Sequence, residues 1–547
     1  MAGSLLAWRL MRCVWPWILA VLSGGLMALA YPPFNQDWLI WLALTPLICA
    51  VWFGPATGRW RVLRLLGLGY ATGLTFFWGV FFWVTEVSVE GWFALAFYLG
   101  LYPAVWALYA GTVGRPRDPA ASDGGALRRS VWLSSWRNLR LAALGAAAWV
   151  GLEWVRGTLF TGLSWNSLGV ALHGNIALIQ IADLTGVGGV SFLVAMANLM
   201  LVMTFKRLSL ELGRMKLRPH FDFSITLALI AGAFSYGVHH YYDRNPDNEL
   251  PLKIAAVQAN IPQDHKWDPA FELHILDVYR KQTEIAVALR PELLIWPEAA
   301  TPRPVLNDEE MKGVVVDILG RLKGDFLLGS IYYDVTAAYN SALLLGPDTS
   351  IQLYNKIHLV PFGEYVPFRR SFPFFAWIVG DLVPSDFDAG VEPVVFQMKS
   401  RPVKIAPLIC FEDTIGDLAR QFAGRGAQLL ITLTNDGWFR ESAGSEQHLA
   451  NSVFRAVETK LPLVRAANTG VTCFIDRLGR VTERLESDDG DTFIEGVLFG
   501  QVKVPVFPKQ TLYTRYGELF SLLCLCAALV AIRGHVFAFG RKGLSPN

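Results

Sequence analysis

Runs of about 20 apolar residues can each bury their backbone only as a helix in lipid or in a helical bundle. This chain has eight such runs, near 14–31, 37–54, 65–84, 91–113, 141–160, 186–205, 223–242 and 513–532. Seven of them precede a long stretch of a different character and one follows it. The segment 161–185 is apolar but interrupted by Gly162, Ser164, Asn166 and Gly174, and reads as a loop at a membrane surface. The expected fold class is a multi-span α-helical membrane bundle joined to an extracytoplasmic α/β domain. The divisions are a transmembrane bundle over 1–245, a domain of different character over 246–505, and a final transmembrane helix with a tail over 506–547.

Composition agrees with that division. Of 547 residues, 53% are hydrophobic and 17% charged, with a net charge of +2. No basic excess points to nucleic acid. Basic residues recur in alternate loops: Arg9 and Arg12, then Arg59, Arg61 and Arg64, then Arg115 to Arg140, then Lys206 to Arg218, then Arg533 to Lys542. The loops 32–37 and 85–90 carry neither Lys nor Arg. The positive-inside rule then predicts cytoplasmic termini and a far-side location for 246–505. The first apolar run fits the series of spans and so does not read as a cleaved signal peptide.

From about 246 short β-type runs appear: KIAAVQA, LLIW, FLLGSIYY, SALLLG, VKIAPLI, QLLITLT and VTCFI. Phe271, Ile275, Val278, Ile285 and Leu289 recur at helical spacing, Asn307 is placed to cap a helix, and Ser445 to Lys460 reads as another helix. Strands alternating with helices predict an α/β domain.

Three residues in this domain can carry chemistry. Glu298 follows LLIW and Pro297, Lys356 sits in YNKIHLVPFGEYVP, and Cys410 follows VKIAPLI. Strand ends that converge on one rim are where α/β folds build sites, and these spacings allow convergence. A carboxylate, an ammonium and a thiol suffice to make and break a thioester. Taken singly, each also reads as a solvated acid, a surface lysine or a core cysteine. The six cysteines, Cys13, Cys49, Cys410, Cys473, Cys524 and Cys526, show no zinc spacing, and neither metal nor cofactor is expected. A Cys410–Cys473 disulfide is conceivable, although the surroundings of Cys410 favour a free thiol. Glu153 and Arg156, three residues apart on one helical face, read as a pair facing the bundle or snorkelling at its end. His358 and His448 read as structural hydrogen-bonders.

WPEA around Glu298, YNKIHLVPFGEYVP around Lys356 and ICFED around Cys410 together resemble the carbon–nitrogen hydrolase (nitrilase) superfamily. NDGWF, the helix from Gln447 and His448 to Arg455, and RAANTG extend the likeness. With the apolar spans, GLEWVRGTLFTGLSWNSLG and IPQDHKWDP, the chain resembles the membrane-anchored apolipoprotein N-acyltransferase family. The resemblance implies an α-β-β-α sandwich with Glu298, Lys356 and Cys410 as catalytic triad. Glu298 would be the general base, Cys410 the nucleophile, and Lys356 the oxyanion partner with the Phe411 backbone N–H. It further implies that Glu364 orients Lys356, that Glu412 supports the nucleophile turn, and that Trp267, Tyr365 and Trp438 bind substrate. Phe411 stands where many members carry Tyr, and NDGWFR departs mildly at Gly437 and Arg440. The expected substrates are a phospholipid acyl donor and a diacylglyceryl apolipoprotein acceptor, handled by a monomer in a bacterial inner membrane. A tethered amidase with water as acceptor is the competing expectation, and a binding module without catalysis a third. The aromatic stretch 365–379 reads as a membrane-dipping arm.

Overall fold

The computed structural model describes residues 2–55, 59–116, 131–213, 219–242, 248–367, 369 and 386–542. The expected arm, 365–379, falls for the most part outside the described residues. The chain forms two compact units, Met1–Tyr241 with Glu518–Asn547, and Tyr242–Gly517.

The first unit is helical. Its main helices are α1 (Ala2–Leu29), α2 (Thr45–Phe53), α3 (Arg61–Val80), α4 (Val89–Leu99), α5 (Leu101–Thr112) and α6 (Val131–Thr158). Then come the short α7 (Ile176–Ile179) and α8 (Ala182–Thr185), α9 (Val187–Leu212), α10 (Phe221–Tyr242) and a C-terminal helix, Leu519–Lys542. Among the described residues, four stretches suffice by length and composition to cross a membrane: Val89–Thr112, Val187–Leu212, Phe221–Tyr242 and Leu519–Phe537. Small residues let helices approach. A Cβ on Gly69 would lie 2.3 Å from the Pro103 carbonyl oxygen, and one on Gly73 2.7 Å from the Gly100 Cα. This is the close packing that small residues four apart permit.

Three expectations need correction here. The run 37–54 is not one helix but a 3₁₀ turn, Asp37–Trp41, followed by α2. Buried Asn198 of α9 bridges the break, donating to the Ile40 carbonyl at 3.0 Å and accepting from Leu44 N–H at 2.9 Å. The last long helix starts at Leu519 rather than 513, because Gly517 at φ +58 ends a short helix, Leu512–Tyr516. The segment 161–185 is not a surface loop throughout. Residues 165–172 are buried, partly as the 3₁₀ turn Leu168–Leu172, which suits irregular backbone enclosed by protein.

The second unit holds two six-stranded sheets. One contains β1 (Glu249–Gln258), β2 (Leu293–Ile295), β3 (Asp325–Tyr333), β4 (Ala338–Leu345), β5 (Ile351–Asn355) and β12 (Gly496–Pro505), in the order β12-β1-β2-β3-β4-β5. The other contains β6 (Phe396–Gln397), β7 (Lys404–Ile409), β8 (Leu429–Thr434), β9 (Leu463–Ala467), β10 (Cys473–Ile475) and β11 (Val481–Arg484), in the order β11-β10-β9-β8-β7-β6. Helices α11 (Glu272–Ala288) and α12 (Glu309–Arg321) belong with the first sheet, and α13 (Gly416–Gly424) and α14 (Gly444–Thr459) with the second. Central strands are buried on both faces, as β2 and β8 show throughout, and accordingly read as unbroken apolar runs.

Helix α11 buries Ile275, Val278, Tyr279, Thr283 and Ala286, while Ile285 and Leu289 of the expected stripe face outward. The cap of α12 is Asp308, which accepts from Met311 N–H at 2.9 Å. Asn307 instead clamps the Tyr333 backbone at 2.8 and 3.0 Å.

Candidate active site

Strands β1, β2 and β3 run parallel, as do β7, β8 and β9. Their carboxyl ends, with that of β5, form the rim that carries the candidate residues, in keeping with the placement rule for α/β sheets.

Glu298 lies three residues beyond β2. Its turn is strapped to β3 by Gly329 N–H to the Pro297 carbonyl at 3.1 Å and Ala300 N–H to the Gly329 carbonyl at 2.9 Å. A Cβ on Gly329 would stand 2.6 Å from the Glu298 Cα, so only glycine admits this approach. The following residue, Ala299, sits at φ +43. Lys356 follows β5 directly. Its N–H donates to the Asn340 carbonyl at 2.8 Å, and its carbonyl accepts from Gly390 N–H at 2.7 Å. Cys410 follows β7 at φ +52, a strained setting for a residue with a Cβ. All six cysteines are free thiols.

The side chains converge. Lys356 Nζ is 3.7 Å from Glu298 Oε1 and 2.8 Å from Glu364 Oε2. The Asn340 amide donates to Glu298 Oε1 at 2.7 Å and to Glu364 Oε1 at 2.8 Å. Glu364 Oε2 also accepts from Val360 N–H at 2.8 Å. Burial pulls the Lys356 pKa down, but Glu364 and then Glu298 outweigh it and hold the ammonium charged. Burial, and then the Glu298 charge, push the Cys410 thiol up, with Lys356 opposing. At rest the sulfur therefore keeps its proton, and attack requires a base to take it.

Glu412 ties two of these turns together. Its Oε1 accepts from Tyr354 Oη at 2.8 Å and from the N–H groups of Ile357 at 2.7 Å and His358 at 3.1 Å. Its Oε2 accepts from Ile409 N–H at 2.8 Å. Burial pushes this carboxyl up to about 7, while its backbone donors and Lys356 oppose the rise. Phe411 is buried beside it, and His358 is half-buried with burial lowering its pKa. Trp267 is 51% exposed, whereas Tyr365 and Trp438 are half-buried. The Tyr365 carbonyl accepts from Phe362 N–H at 2.8 Å.

Two participants were not singled out from sequence. Asn340 is one; nothing around it in AYNSALLL signals a role. Lys266 is the other, although IPQDHKWDP carried a resemblance. It is 5% exposed, and its Nζ donates to the Glu298 carbonyl at 2.9 Å. Burial lowers its pKa to about 8, with Glu298 and Cys410 opposing.

Beneath the nucleophile turn lies a closed charge cluster. His448 Nε2 is 2.8 Å from Asp413 Oδ1, and its Nδ1 is 2.9 Å from Asp436 Oδ1. Arg465 reaches Asp413 at 2.5 Å and Asp436 at 3.2 Å, and Ser452 Oγ donates to Asp413 at 2.6 Å. Burial lowers the His448 pKa, but Asp413 and then Asp436 outweigh it, for a value of about 9. Burial raises the Asp413 pKa, but His448 and Arg465 bring it below the ordinary value. Thus NDGWF, the α14 segment and RAANTG meet in one structural platform.

Comparison with known proteins adds a family context. Residues 23–200 match the family described as apolipoprotein N-acyltransferase N-terminal domain, and residues 253–505 match carbon–nitrogen hydrolase. An apolipoprotein N-acyltransferase of Geobacter metallireducens is 34% identical over 545 residues, covering 96% of each chain. One of Rhodopseudomonas palustris is 30% identical, covering 97% of each. Among solved structures, a CN-hydrolase superfamily protein of Xanthomonas campestris aligns at TM-score 0.36 and 19% identity, covering 46% of this chain and 91% of that one.

Proposed function

The chain belongs to the apolipoprotein N-acyltransferase family, and on that premise we propose that it moves a fatty acyl chain from a membrane phospholipid to the α-amine of a lipoprotein's N-terminal diacylglyceryl-cysteine. The observation that carries the chemistry is a buried thiol on a strained strand-end turn, its pKa pushed up by burial and then by the Glu298 charge, with Lys356 opposing.

In this reading Cys410 Sγ attacks the donor ester carbonyl while Glu298 takes the thiol proton. Lys356 and the Phe411 N–H stabilise the oxyanion. The carbon–oxygen bond of the ester breaks, and Glu298 returns the proton to the departing lysophospholipid. The acyl group now rests on sulfur. The acceptor amine, with an ordinary pKa of ~7.7–8.0, is partly neutral near pH 7 and attacks the thioester. The carbon–sulfur bond breaks, and the surplus proton passes through Glu298 to the thiolate. A thioester gives way to an amide downhill, so no nucleotide is needed, and the two substrates use one site in turn.

Glu364 and Asn340 orient Lys356 and Glu298, and Glu412 fixes the turn that bears the nucleophile. Trp267, Tyr365 and Trp438 are assigned to substrate. The alternating basic loops support an inner-membrane protein with cytoplasmic termini and a periplasmic catalytic domain over 246–505. The bundle takes 1–245 and a closing helix with its tail 506–547. One chain carries all the proposed residues, which supports action as a monomer.

Intact-protein mass spectrometry after incubation with phospholipid tests the central step. The wild-type chain should gain one fatty acyl mass, which the acceptor amine then removes. Equal gain by Cys410→Ala would refute the nucleophile assignment. Release of the acyl group to water alone, with the acceptor present, would favour the amidase reading instead.

A further inference from the structure

We propose that the helical unit contains a binding site for the phosphodiester of a membrane phospholipid, built around Arg156. This concerns binding without turnover and does not depend on the acyl-transfer reading.

Arg156 occupies the last turn of α6 and is 4% exposed. Among the described residues its Nε and Nη2 have no hydrogen-bond partner. The guanidinium carbon stands 5.6 Å from the centroid of the Phe77 ring. Beside it lies a narrow, partly open cleft bordered by Phe76, Phe77, Tyr102, Trp106, Glu153 and Arg156 among others. All of these residues belong to the helical unit.

Of the two expected readings, Glu153 and Arg156 face the bundle interior rather than snorkel, and the Glu153 charge acts on Arg156, although no ion pair joins the two directly among the described residues. Glu153 Oε1 accepts instead from Trp149 Nε1 and from Leu168 N–H, both at 2.8 Å. Nor does Arg156 reach outward. After α6 the chain folds back, with Leu163 N–H on the Arg156 carbonyl at 2.9 Å and Gly162 at φ +75 making the turn. Residues 165–172 of that return are buried.

A buried guanidinium with idle donors is expensive to leave unmatched, and charges at such depth commonly mark a ligand path. Its planar fork fits two phosphate oxygens better than any single neutral acceptor. The apolar border favours an anion that arrives with hydrocarbon attached. A phospholipid supplies both. A head group with a hydroxyl or ammonium donor would, in addition, meet the Glu153 carboxylate that shares the cavity.

Hydrogen–deuterium exchange on the full chain carrying Cys410→Ala, in a maltoside detergent, tests the site. The probes are dihexanoylphosphatidylglycerol, dihexanoylglycerol and inorganic phosphate. The phospholipid should slow exchange in residues 156–172 at least about tenfold, as ligand linkage to the bound state requires. The neutral diglyceride should not, and Arg156→Gln should abolish the effect while Arg156→Lys retains part of it. Equal protection by phospholipid and diglyceride, or protection confined to the α/β unit, would show that Arg156 does not recognise the phosphodiester and would overturn the proposal. Equal protection by inorganic phosphate would overturn the lipid assignment in favour of a free oxyanion. The unsubstituted arginine alone decides these outcomes, so a variant that fails to fold leaves the test intact.

Discussion

In the α/β unit the buried carboxylates of Asp413 and Asp436 face two buried cations, Arg465 and His448, whereas in the helical unit buried Arg156 keeps two nitrogens idle. The first arrangement is closed: every charge has an opposite within hydrogen-bond reach. It needs no ligand and holds up the Cys410 turn. The second is open, and its carboxylate neighbour is engaged by neutral donors. Between these extremes stands the Glu298–Lys356–Glu364 group, whose charges are paired yet border a thiol on strained backbone. Closed clusters therefore read as architecture, and incomplete ones as places for something to arrive.

The sharpest way to break this distinction is at the sulfur. Cys410→Ala should lower acyl transfer on the order of 10⁴-fold or more while leaving the unfolding temperature nearly unchanged, measured by product formation and thermal melts. A large loss of stability would move Cys410 to the architectural side. Next in size is Arg465→Met, which strands two carboxylates in the interior. Breaking a buried ion cluster in this way costs about 3–5 kcal/mol, and chemical denaturation should register it. An undiminished midpoint would show that the cluster is not closed.

The cluster also has a pH signature. The folded-state pKa of His448, about 9, lies above its ordinary value of 6.5. Its contribution is fully present below about 6.5 and is lost as pH rises through about 9. At about 1.4 kcal/mol per pKa unit the loss amounts to a few kcal/mol. Melting temperatures between pH 6.5 and 9.5 should fall more for the wild type than for His448→Gln. Parallel curves would argue against a protonated His448.

Lys266 tests the intermediate case. Its pKa of about 8 implies loss of charge as pH rises through that value. Lys266→Met should slow Cys410 acylation about 10–100-fold, the scale of a supporting electrostatic contact, and should remove an alkaline limb near pH 8 from the rate profile. An unchanged limb would reduce Lys266 to a strut for the Glu298 carbonyl. The smallest loss belongs to Arg156→Gln, which removes a buried group with two idle donors. Without lipid it should not lower stability, because it relieves the cost of idle buried donors, in contrast to Arg465→Met. A loss equal to that of Arg465→Met would place Arg156 in a closed cluster after all.

Much of this was legible before any coordinates. The strands that bear Glu298 and Cys410 are continuous apolar runs, LLIW and VKIAPLI, because both faces of a central strand are buried. Strand β5, which leads directly into Lys356, gives no strand signal, since IQLYN at a sheet edge has exposed and half-buried positions and no clear pattern. The break in 37–54 was hidden for a related reason. Hydropathy reports burial, and the buried Asn198 that satisfies the interrupted backbone lies 154 residues from Leu44. Asn340 has no local signal, and IPQDHKWDP carries a resemblance without marking Lys266, because the roles of both arise only from what they touch.

By itself, the order of residues determined where apolar helices and mixed strands would form, since both follow from local periodicity and from the need to satisfy backbone groups. It also determined which side chains had the right chemistry. Only the tertiary structure decided which charges are matched. Electrostatic partnership acts through space over a few ångströms, and it joins Cys410 to Glu298 and Asp413 to Arg465, and among the described residues leaves two nitrogens of Arg156 without a hydrogen-bond partner, whatever the separation along the chain.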